Sequence, residues 1–176
     1  AKFSPSASDR LIHCPPSLLL GEQYGPEDTG SEYSREGTEA HSLGEYLLKQ
    51  ALGLPCEDPR PTLKMYSPEM QDCAEGYRDT VLELYETMKQ ACPDAIISVE
   101  QQVSFEEYVA GGFGTSDCII LGDGHMYVID YKHGKGVEVS AEDNPQLKCY
   151  ALGSYLAFSP LYDITDITLV IYQPRI

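Results

Sequence analysis

The chain has 176 residues, 42% of them hydrophobic, and a formal net charge of −16. Its length predicts one compact domain, and the lack of a signal peptide or of an apolar run near the roughly 20 residues of a membrane span predicts a soluble, cytoplasmic protein rather than an integral membrane protein. The excess of acids argues against a general affinity for polyanions, because duplex binding depends on many Lys and Arg contacts to phosphate.

The opening segment, SPSASDRLIHCPPSLLL, predicts a short helix followed by a turn. Ser6 or Ser8 can cap the helix, and Pro15 with Pro16 breaks the chain after it. A loop rich in glycine, proline and acids is then expected to run to about Ser34.

Two longer helices are predicted next. Apolar residues recur at helical spacing from Arg35 to Leu52, and Gly53 is a natural stop. After a proline-rich linker, Ser67 followed by Pro68 is typical of a helix start, and this helix should end before Pro93. Residues 1–92 are therefore expected to be mainly helical.

Beyond Pro93 the pattern changes to β-branched and alternating residues. Three strands are predicted, AIISVEQQVSF (95–105), GGFGTSDCIIL (111–121) and HMYVIDYK (125–132). The last two are joined by the turn Gly122-Asp123-Gly124. A helix from Glu142 to Phe158 and a buried strand, ITDITLVIYQP (164–174), complete an α/β fold. A chain that stops at Ile176, directly after a strand, is compatible with a fragment of a longer protein.

Two of the predicted strands each carry an acid beside an apolar run, Asp117 and Asp130. If the strands pair through the tight turn, the two carboxylates converge at one edge of the sheet, where they can hold Mg²⁺ or Mn²⁺. Alternation sets Lys132 on the face of Asp130 and turns Tyr131 away, with its backbone carbonyl available. A metal and an ammonium together suit phosphodiester hydrolysis, although each of these residues alone is more often a solvated surface group.

Three motifs in this order resemble the RecB-type branch of the PD-(D/E)XK nucleases. They are GTSD (114–117), VIDYK (128–132) and QLKCY (146–150). The resemblance implies a restriction-endonuclease-like αβββαβ core, in which a central mixed sheet is flanked by helices. It extends to phage-encoded proteins with similar motifs over residues 114–119, 128–139 and 144–151.

The resemblance also implies roles for individual residues. Asp117 and Asp130 are expected to be metal ligands, Lys132 the catalytic lysine, and Gln146 and Tyr150 helix residues that face the site or the DNA strand. The carbonyl of Tyr131 completes the oxygen ligands. The cofactor implied is Mg²⁺ or Mn²⁺.

Two further candidates lie upstream of these motifs. In the segment REGTEAH (35–41) a glycine precedes a histidine by four residues, as in the family's first-helix motif, so His41 is carried over as a metal ligand. A lone helical histidine is more often a surface or core residue. Glu100 stands where the family often places an acid, but Gln101 and Gln102 beside it are equally compatible with a merely polar stretch.

The cysteines and the other histidines are given no role in the site. The six cysteines form no CxxC pair and are expected to be free thiols. Cys14 followed by Pro15 resembles the first cysteine of family members that hold an iron–sulfur cluster, but no cysteine trio follows near the end, so no cluster is expected. We interpret His13, His125 and His133 as surface residues.

The sequence thus predicts a metal-dependent DNA nuclease, with an exonuclease as the expected form, acting in phage recombination, replication or repair. DNA ends or single strands are the expected substrates, contacted by Arg35, Lys135 and Lys148, and phage recombination or replication proteins are possible partners. Two alternatives stay open. The acidic charge suits a catalytically silent module that binds nucleic acid or protein, and it also suits a hydrolase of a smaller phosphate substrate.

Overall fold

The computed structural model describes residues 3–25, 31–122 and 124–176. Five α-helices and four strands are present in this part of the chain, with two short 3-10 helices, Pro5–Ala7 and Arg60–Thr62. The helices are α1 (Ser8–His13), α2 (Ser17–Tyr24), α3 (Glu32–Ala51), α4 (Pro68–Ala91) and α5 (Pro145–Phe158). The strands are β1 (Ile96–Ser104), β2 (Phe113–Gly122), β3 (Gly124–Tyr131) and β4 (Ile164–Tyr172).

The four strands form one mixed sheet in the order β1-β2-β3-β4. β1, β2 and β3 are antiparallel neighbours, while β4 runs parallel to β3 after the chain has crossed over through α5. The predicted order of helices, three strands, a helix and a strand is confirmed, as is the α/β class. The turn residue Asp123 lies outside the described residues.

Side-chain alternation gives the sheet two apolar faces, each covered by helices. Cys118, Ile120 and Ile129 face a core built with α3 and α4. Ile119 and Val128 face a second core built with α5. β2 and β3 are therefore covered by helices on both faces, which is what assembles the candidate site.

Local signals explain where the long helices begin and end. The Ser67 side chain accepts a hydrogen bond from the Met70 amide at 3.1 Å, so the cap predicted for α4 is confirmed. Gly53 follows α3 with a φ of +69°, a left-handed conformation that favours glycine. α3 starts earlier than predicted, because Ser31 caps it through the amide of Ser34.

Three other predictions need correction. The predicted short helix and the turn at Pro15-Pro16 are present, but α2 stands where the loop was predicted to begin, since Pro16 can precede a helix as readily as it ends one. α5 begins at Pro145 rather than Glu142, because the Asn144 side chain caps it. β4 is not fully buried, because it lies at an edge of the sheet. Of the loop predicted up to Ser34, residues 26–30 lie outside the described residues.

Among the described residues, no helix combines the length and the apolar character needed to cross a membrane.

Candidate functional site

The two acids of the β2–β3 hairpin lie at the end opposite its turn. Cys118 pairs with Ile129, and the same register carried one residue further sets Asp117 opposite Asp130. Asp117 Oδ2 accepts a hydrogen bond of 2.7 Å from the backbone amide of Tyr131, which fixes the orientation of its carboxylate. The hairpin therefore brings together the two acids that the sequence predicted to converge.

Glu100 enters the same place from β1. Its neighbours Val99 and Gln101 pair with Cys118 and Ser116, so Glu100 faces Asp117 across the strands. Its φ of +54° is uncommon for a residue with a side chain, and strained backbone of this kind clusters at functional sites. The position that the sequence left undecided is thus occupied by an acid directed at the hairpin end.

His41 reaches the hairpin end from α3. Its Nδ1 lies 3.3 Å from Asp117 Oδ1, and its ring centroid is 5.3 Å from that of Tyr131. Donor atoms of His41, Glu100 and Asp117 all lie within 4.8 Å of one another, which is close enough for one metal ion to bind all three. We refer to these three side chains and Asp130 as the acidic cluster.

The surroundings of Glu100, Asp130 and His41 shift the pKa values of these three groups. Burial, followed by the charge of Asp117, raises the pKa of Glu100 to about 7, and the same two causes raise the pKa of Asp130. Burial alone would lower the pKa of His41, but its hydrogen bond to Asp117 and the nearby negative charges raise it overall. In Glu100 and Asp130, burial and neighbouring negative charge therefore disfavour the ionised form of the carboxyl.

Lys132 connects Asp130 to helix α5. Its Nζ lies 2.8 Å from Asp130 Oδ2 and donates a hydrogen bond of 3.1 Å to Gln146 Oε1. Gln146 Nε2 in turn lies 3.4 Å from both Asp130 Oδ1 and the Tyr150 hydroxyl. Lys132, Gln146 and Tyr150 are thus placed in one chain of contacts that starts at the acidic cluster.

Asp130 Oδ2 is a buried oxygen, and it contacts the Lys132 ammonium at 2.8 Å. A buried carboxylate oxygen in this condition is a suitable ligand for a cation. Tyr131, whose carbonyl was predicted to be a further ligand, pairs with Tyr172 in the β3–β4 ladder, and its ring stacks on Tyr77 with centroids 5.0 Å apart. The ligand role of that carbonyl stays a prediction.

The three residues predicted to contact nucleic acid are dispersed. Arg35 lies exposed on α3, and Lys135 lies exposed in the loop after β3. Lys148 is on α5, where its Nζ is 2.6 Å from Asp143 Oδ1. Of the three, Lys135 lies near Gly37, four residues before His41 on α3.

The interpretation of His133 as a surface residue is wrong. His133 is 3% exposed, and its Nδ1 lies 3.0 Å from the Tyr131 hydroxyl. It is covered because Arg175, far along the chain, bonds the His133 carbonyl and the carboxylates of Glu36 and Glu69 at 2.8–3.1 Å. We refer to Glu36, Glu69, His133 and Arg175 as the Arg175 cluster.

His125 is also less exposed than predicted, because β4 supplies two partners for its ring. Its Nδ1 lies 2.9 Å from Asp166 Oδ2, and its Nε2 lies 3.1 Å from the Thr168 hydroxyl. The exposed position predicted for His13 is confirmed. All six cysteines are free thiols, as expected.

Gln173 has a role that the sequence did not suggest. Its Oε1 accepts a hydrogen bond from the Val139 amide at 2.9 Å, and its Nε2 donates to the carbonyls of Gly134 and Val137. One side chain therefore holds the loop that follows β3. Nothing in the local sequence marks it, because its partners lie more than 30 residues away.

Comparison with family models matches residues 1–176 to the family described as "Protein of unknown function (DUF2800)". No solved structure matches the chain. The family description gives no activity, so the chemistry of the acidic cluster and its neighbours has to carry the functional argument.

Proposed function

The chain belongs to the DUF2800 family, and we propose that it is a divalent-metal-dependent DNA nuclease with a restriction-endonuclease-like core of the PD-(D/E)XK type. One observation carries the proposal: His41, Glu100 and Asp117 hold their donor atoms within 4.8 Å of one another, while Lys132 and Asp130 lie beside them. The order of three antiparallel strands, a crossover helix and a parallel fourth strand supports the core.

The residues of the acidic cluster fit Mg²⁺ or Mn²⁺. They offer carboxylate oxygens, which both ions accept, and one imidazole nitrogen, which favours Mn²⁺ over Mg²⁺. His41, Glu100, Asp117 and Asp130 would hold the ion. When bound, such an ion polarises a phosphoryl oxygen and makes water a stronger nucleophile at neutral pH.

The remaining residues act on the substrate rather than on the ion. The Lys132 ammonium lies where it can offset the charge that develops on a phosphate. Gln146 keeps that ammonium in place through its 3.1 Å hydrogen bond. Tyr150 is 8% exposed, and its hydroxyl lies 3.4 Å from Gln146 Nε2. It is therefore better placed to position Gln146 than to contact a DNA strand.

DNA ends or single strands are the substrates that best suit this surface. The net charge of −16 leaves few basic residues for a long duplex, so contact is expected to be confined to the neighbourhood of the acidic cluster. We propose exonuclease activity in phage recombination, replication or repair, with phage recombination or replication proteins as partners. A catalytically silent module would bind DNA without cutting it, and a hydrolase of small phosphate esters would ignore DNA.

The proposal is tested by a cleavage assay on single-stranded and double-stranded DNA with Mn²⁺. We expect cleavage by the wild-type protein, loss in excess chelator and recovery when Mn²⁺ is returned. Asp117→Asn and Asp130→Asn should lose cleavage, with circular dichroism unchanged. Asp163→Asn is the matched control, because Asp163 is exposed and precedes β4.

Three outcomes would contradict the proposal. Cleavage that persists in the chelator, or in either cluster variant, would mean that another site does the chemistry. Binding of DNA without cleavage would favour the silent module. Turnover of a small phosphate ester, with DNA left intact, would favour a hydrolase of small phosphate esters.

A further inference from the structure

One face of α3 continues from the acidic cluster towards the start of the helix. Tyr33, Gly37 and His41 are spaced by four residues, so their positions lie one above the other on the same face. Tyr33 is 81% exposed, which is unusual for so large a ring. Gly37 lies between the exposed ring and the imidazole, about 6 Å along the helix from each.

A cavity of about 400 Å³ opens on this face. It is bounded on one side by Tyr33, Glu36 and Gly37, and on the other by His133 and the loop 134–136. Gln173 holds that loop through its hydrogen bonds to Gly134 and Val137, so the wall of the cavity is a fixed part of the fold. The volume suits one small organic group rather than a base pair or a peptide helix.

Three glycines in the wall have no packing reason to be glycine. A Cβ atom built on Gly37, Gly134 or Gly136 would meet nothing within 4 Å. By contrast, a Cβ on Gly44, two turns further along α3, would come 3.1 Å from the Tyr77 ring. Glycine inside a helix costs stability, and at Gly37, which lines the cavity, this cost is consistent with a ligand that approaches the backbone.

The charges of the cavity suit a group that carries one phosphate. Lys135 is exposed, and no ion pair joins it to another residue within the described part of the chain. The acid in the wall, Glu36, is already bound by Arg175 at 2.8 Å. A phosphate at the mouth of the cavity would therefore meet one available ammonium and a carboxylate that is engaged elsewhere.

We propose that this cavity binds one unpaired nucleotide of a DNA strand, next to the linkage held at the acidic cluster. Its base stacks on Tyr33, its backbone passes Gly37 and the loop 134–136, and its phosphate contacts Lys135. The distance of one helical turn between Gly37 and His41 corresponds to one nucleotide step along an extended strand. The proposal rests on the nuclease function and adds that the substrate must be single-stranded at this position.

The first test fills the cavity without harming the helix. Gly37→Leu puts a side chain into the open space and replaces a poor helix former with a good one. Gly21→Leu is the matched control, because Gly21 is also helical and also has nothing within 4 Å of its Cβ, but it lies on α2. Both variants should keep or raise the melting temperature.

Binding is measured by fluorescence anisotropy with a 12-nucleotide oligothymidylate and Mn²⁺, in a Lys132→Ala background that prevents turnover. Gly37→Leu should weaken binding at least about tenfold, while Gly21→Leu should leave it unchanged. Equal affinity in the two variants would overturn the proposal. Mn²⁺ binding by Gly37→Leu is measured by calorimetry, and unchanged binding would show that the acidic cluster is intact.

The second test separates stacking from charge. An abasic oligomer of the same length carries the same phosphates but no base, so wild-type protein should bind it at least about fivefold more weakly than oligothymidylate. Tyr33→Ala should remove this preference and Tyr33→Phe should keep it. If Tyr33→Ala prefers the oligothymidylate as strongly as wild type does, the base lies elsewhere and the proposal fails.

Different results would contradict the nuclease function and the nucleotide-binding cavity. If wild-type protein cuts DNA with Mn²⁺ but Gly37→Leu and Tyr33→Ala bind normally, the cavity assignment is wrong and the nuclease proposal stands. If wild-type protein neither cuts nor binds DNA, the nuclease proposal falls and the cavity assignment falls with it.

Discussion

Two clusters of charged side chains lie close together in this molecule, and they are built in opposite ways. In the Arg175 cluster, one guanidinium bonds two carboxylates and a backbone carbonyl at 2.8–3.1 Å, and its side chain is only 4% exposed. In the acidic cluster, three carboxylates face one another and an imidazole, with a single ammonium at the margin.

The pKa shifts express this difference. In the Arg175 cluster, burial and then the guanidinium lower the pKa of His133, which favours the neutral form of the ring. In the acidic cluster, burial and mutual repulsion raise the pKa of both Glu100 and Asp130. A cluster that balances its own charges can serve the fold alone, whereas one that does not would be stabilised by a bound cation, in keeping with the proposed metal site.

The largest expected effect is on cleavage by a Lys132 variant, and it distinguishes Lys132, at the margin of the acidic cluster, from the proposed metal ligands. Lys132→Ala should reduce cleavage by about 10²–10³-fold, because a positioned charge on the transition state is worth this much. The affinity for Mn²⁺ should not fall, since an ammonium cannot bind a cation. Cleavage rates and calorimetry of both proteins check this, with the exposed Lys64→Ala as control. Lost Mn²⁺ affinity with retained turnover would reverse the two roles.

The next largest effect is on the free energy of unfolding when the Arg175 cluster is disrupted. Arg175→Met should destabilise the fold by about 2 kcal/mol, less than for a fully buried pair because the Glu69 side chain is 58% exposed. Urea denaturation measures it, with Arg10→Met as an exposed control. Mn²⁺ affinity should change little. A loss of metal binding as large as the loss of stability would mean that the two clusters form a single unit.

A smaller effect of opposite sign is expected in the acidic cluster. The pKa of Glu100 is about 7 in the fold against an ordinary value of 4.5, so its contribution to stability is complete below pH 4.5 and is lost as the pH rises through 7. At pH 8, metal-free Glu100→Gln should therefore be more stable than wild type by about 1 kcal/mol, or roughly 2–4 °C in melting temperature.

This gain should vanish at pH 5, where Glu100 is protonated in the wild-type fold. Saturating Mn²⁺ should reverse the order at pH 8, because only the wild type keeps the full ligand set. Thermal melts at both pH values, with the exposed Glu107→Gln as control, make the comparison. If Glu100→Gln is less stable than wild type at pH 8 without metal, the claim that the ionised Glu100 carboxylate destabilises the metal-free fold is wrong.

The smallest effect concerns contacts outside both clusters. With about three phosphate contacts, the slope of log affinity against log salt for single-stranded DNA should be near −2. Lys135→Ala should reduce its magnitude by about 0.7. Lys148→Ala should change it less, because Asp143 already pairs with Lys148. Titrations with oligothymidylate between low and moderate salt measure the slope. A slope steeper than about −5 would reveal a basic surface that the present account lacks.

The sequence predicted what depends on local patterns. The approach of Asp117 to Asp130 followed from a tight hairpin, and the contact of Lys132 with Asp130 followed from alternation along one strand. The start of α4 followed from the Ser67-Pro68 cap. These features need only the period of a strand or the geometry of a helix end.

What the sequence could not predict depends on distant or unusual geometry. The role of Glu100 could not be predicted because the direction of its side chain depends on a left-handed φ, which the neighbouring residues do not indicate. The burial of His133 was missed because Arg175 and Glu36, which cover it, are 139 residues apart. The cavity beside Gly37 needed the loop held by Gln173 before it could be recognised.

Calorimetric titration of the metal-free protein with Mn²⁺ tests the acidic cluster as a metal centre most directly. We expect saturable binding by the wild type, its loss in Asp117→Asn, and weaker binding in His41→Ala. A parallel titration with Mg²⁺ should show weaker binding than Mn²⁺ in the wild type, and His41→Ala should narrow that difference, because the nitrogen ligand favours Mn²⁺. No binding by the wild type, or binding that Asp117→Asn leaves unchanged, would contradict the account.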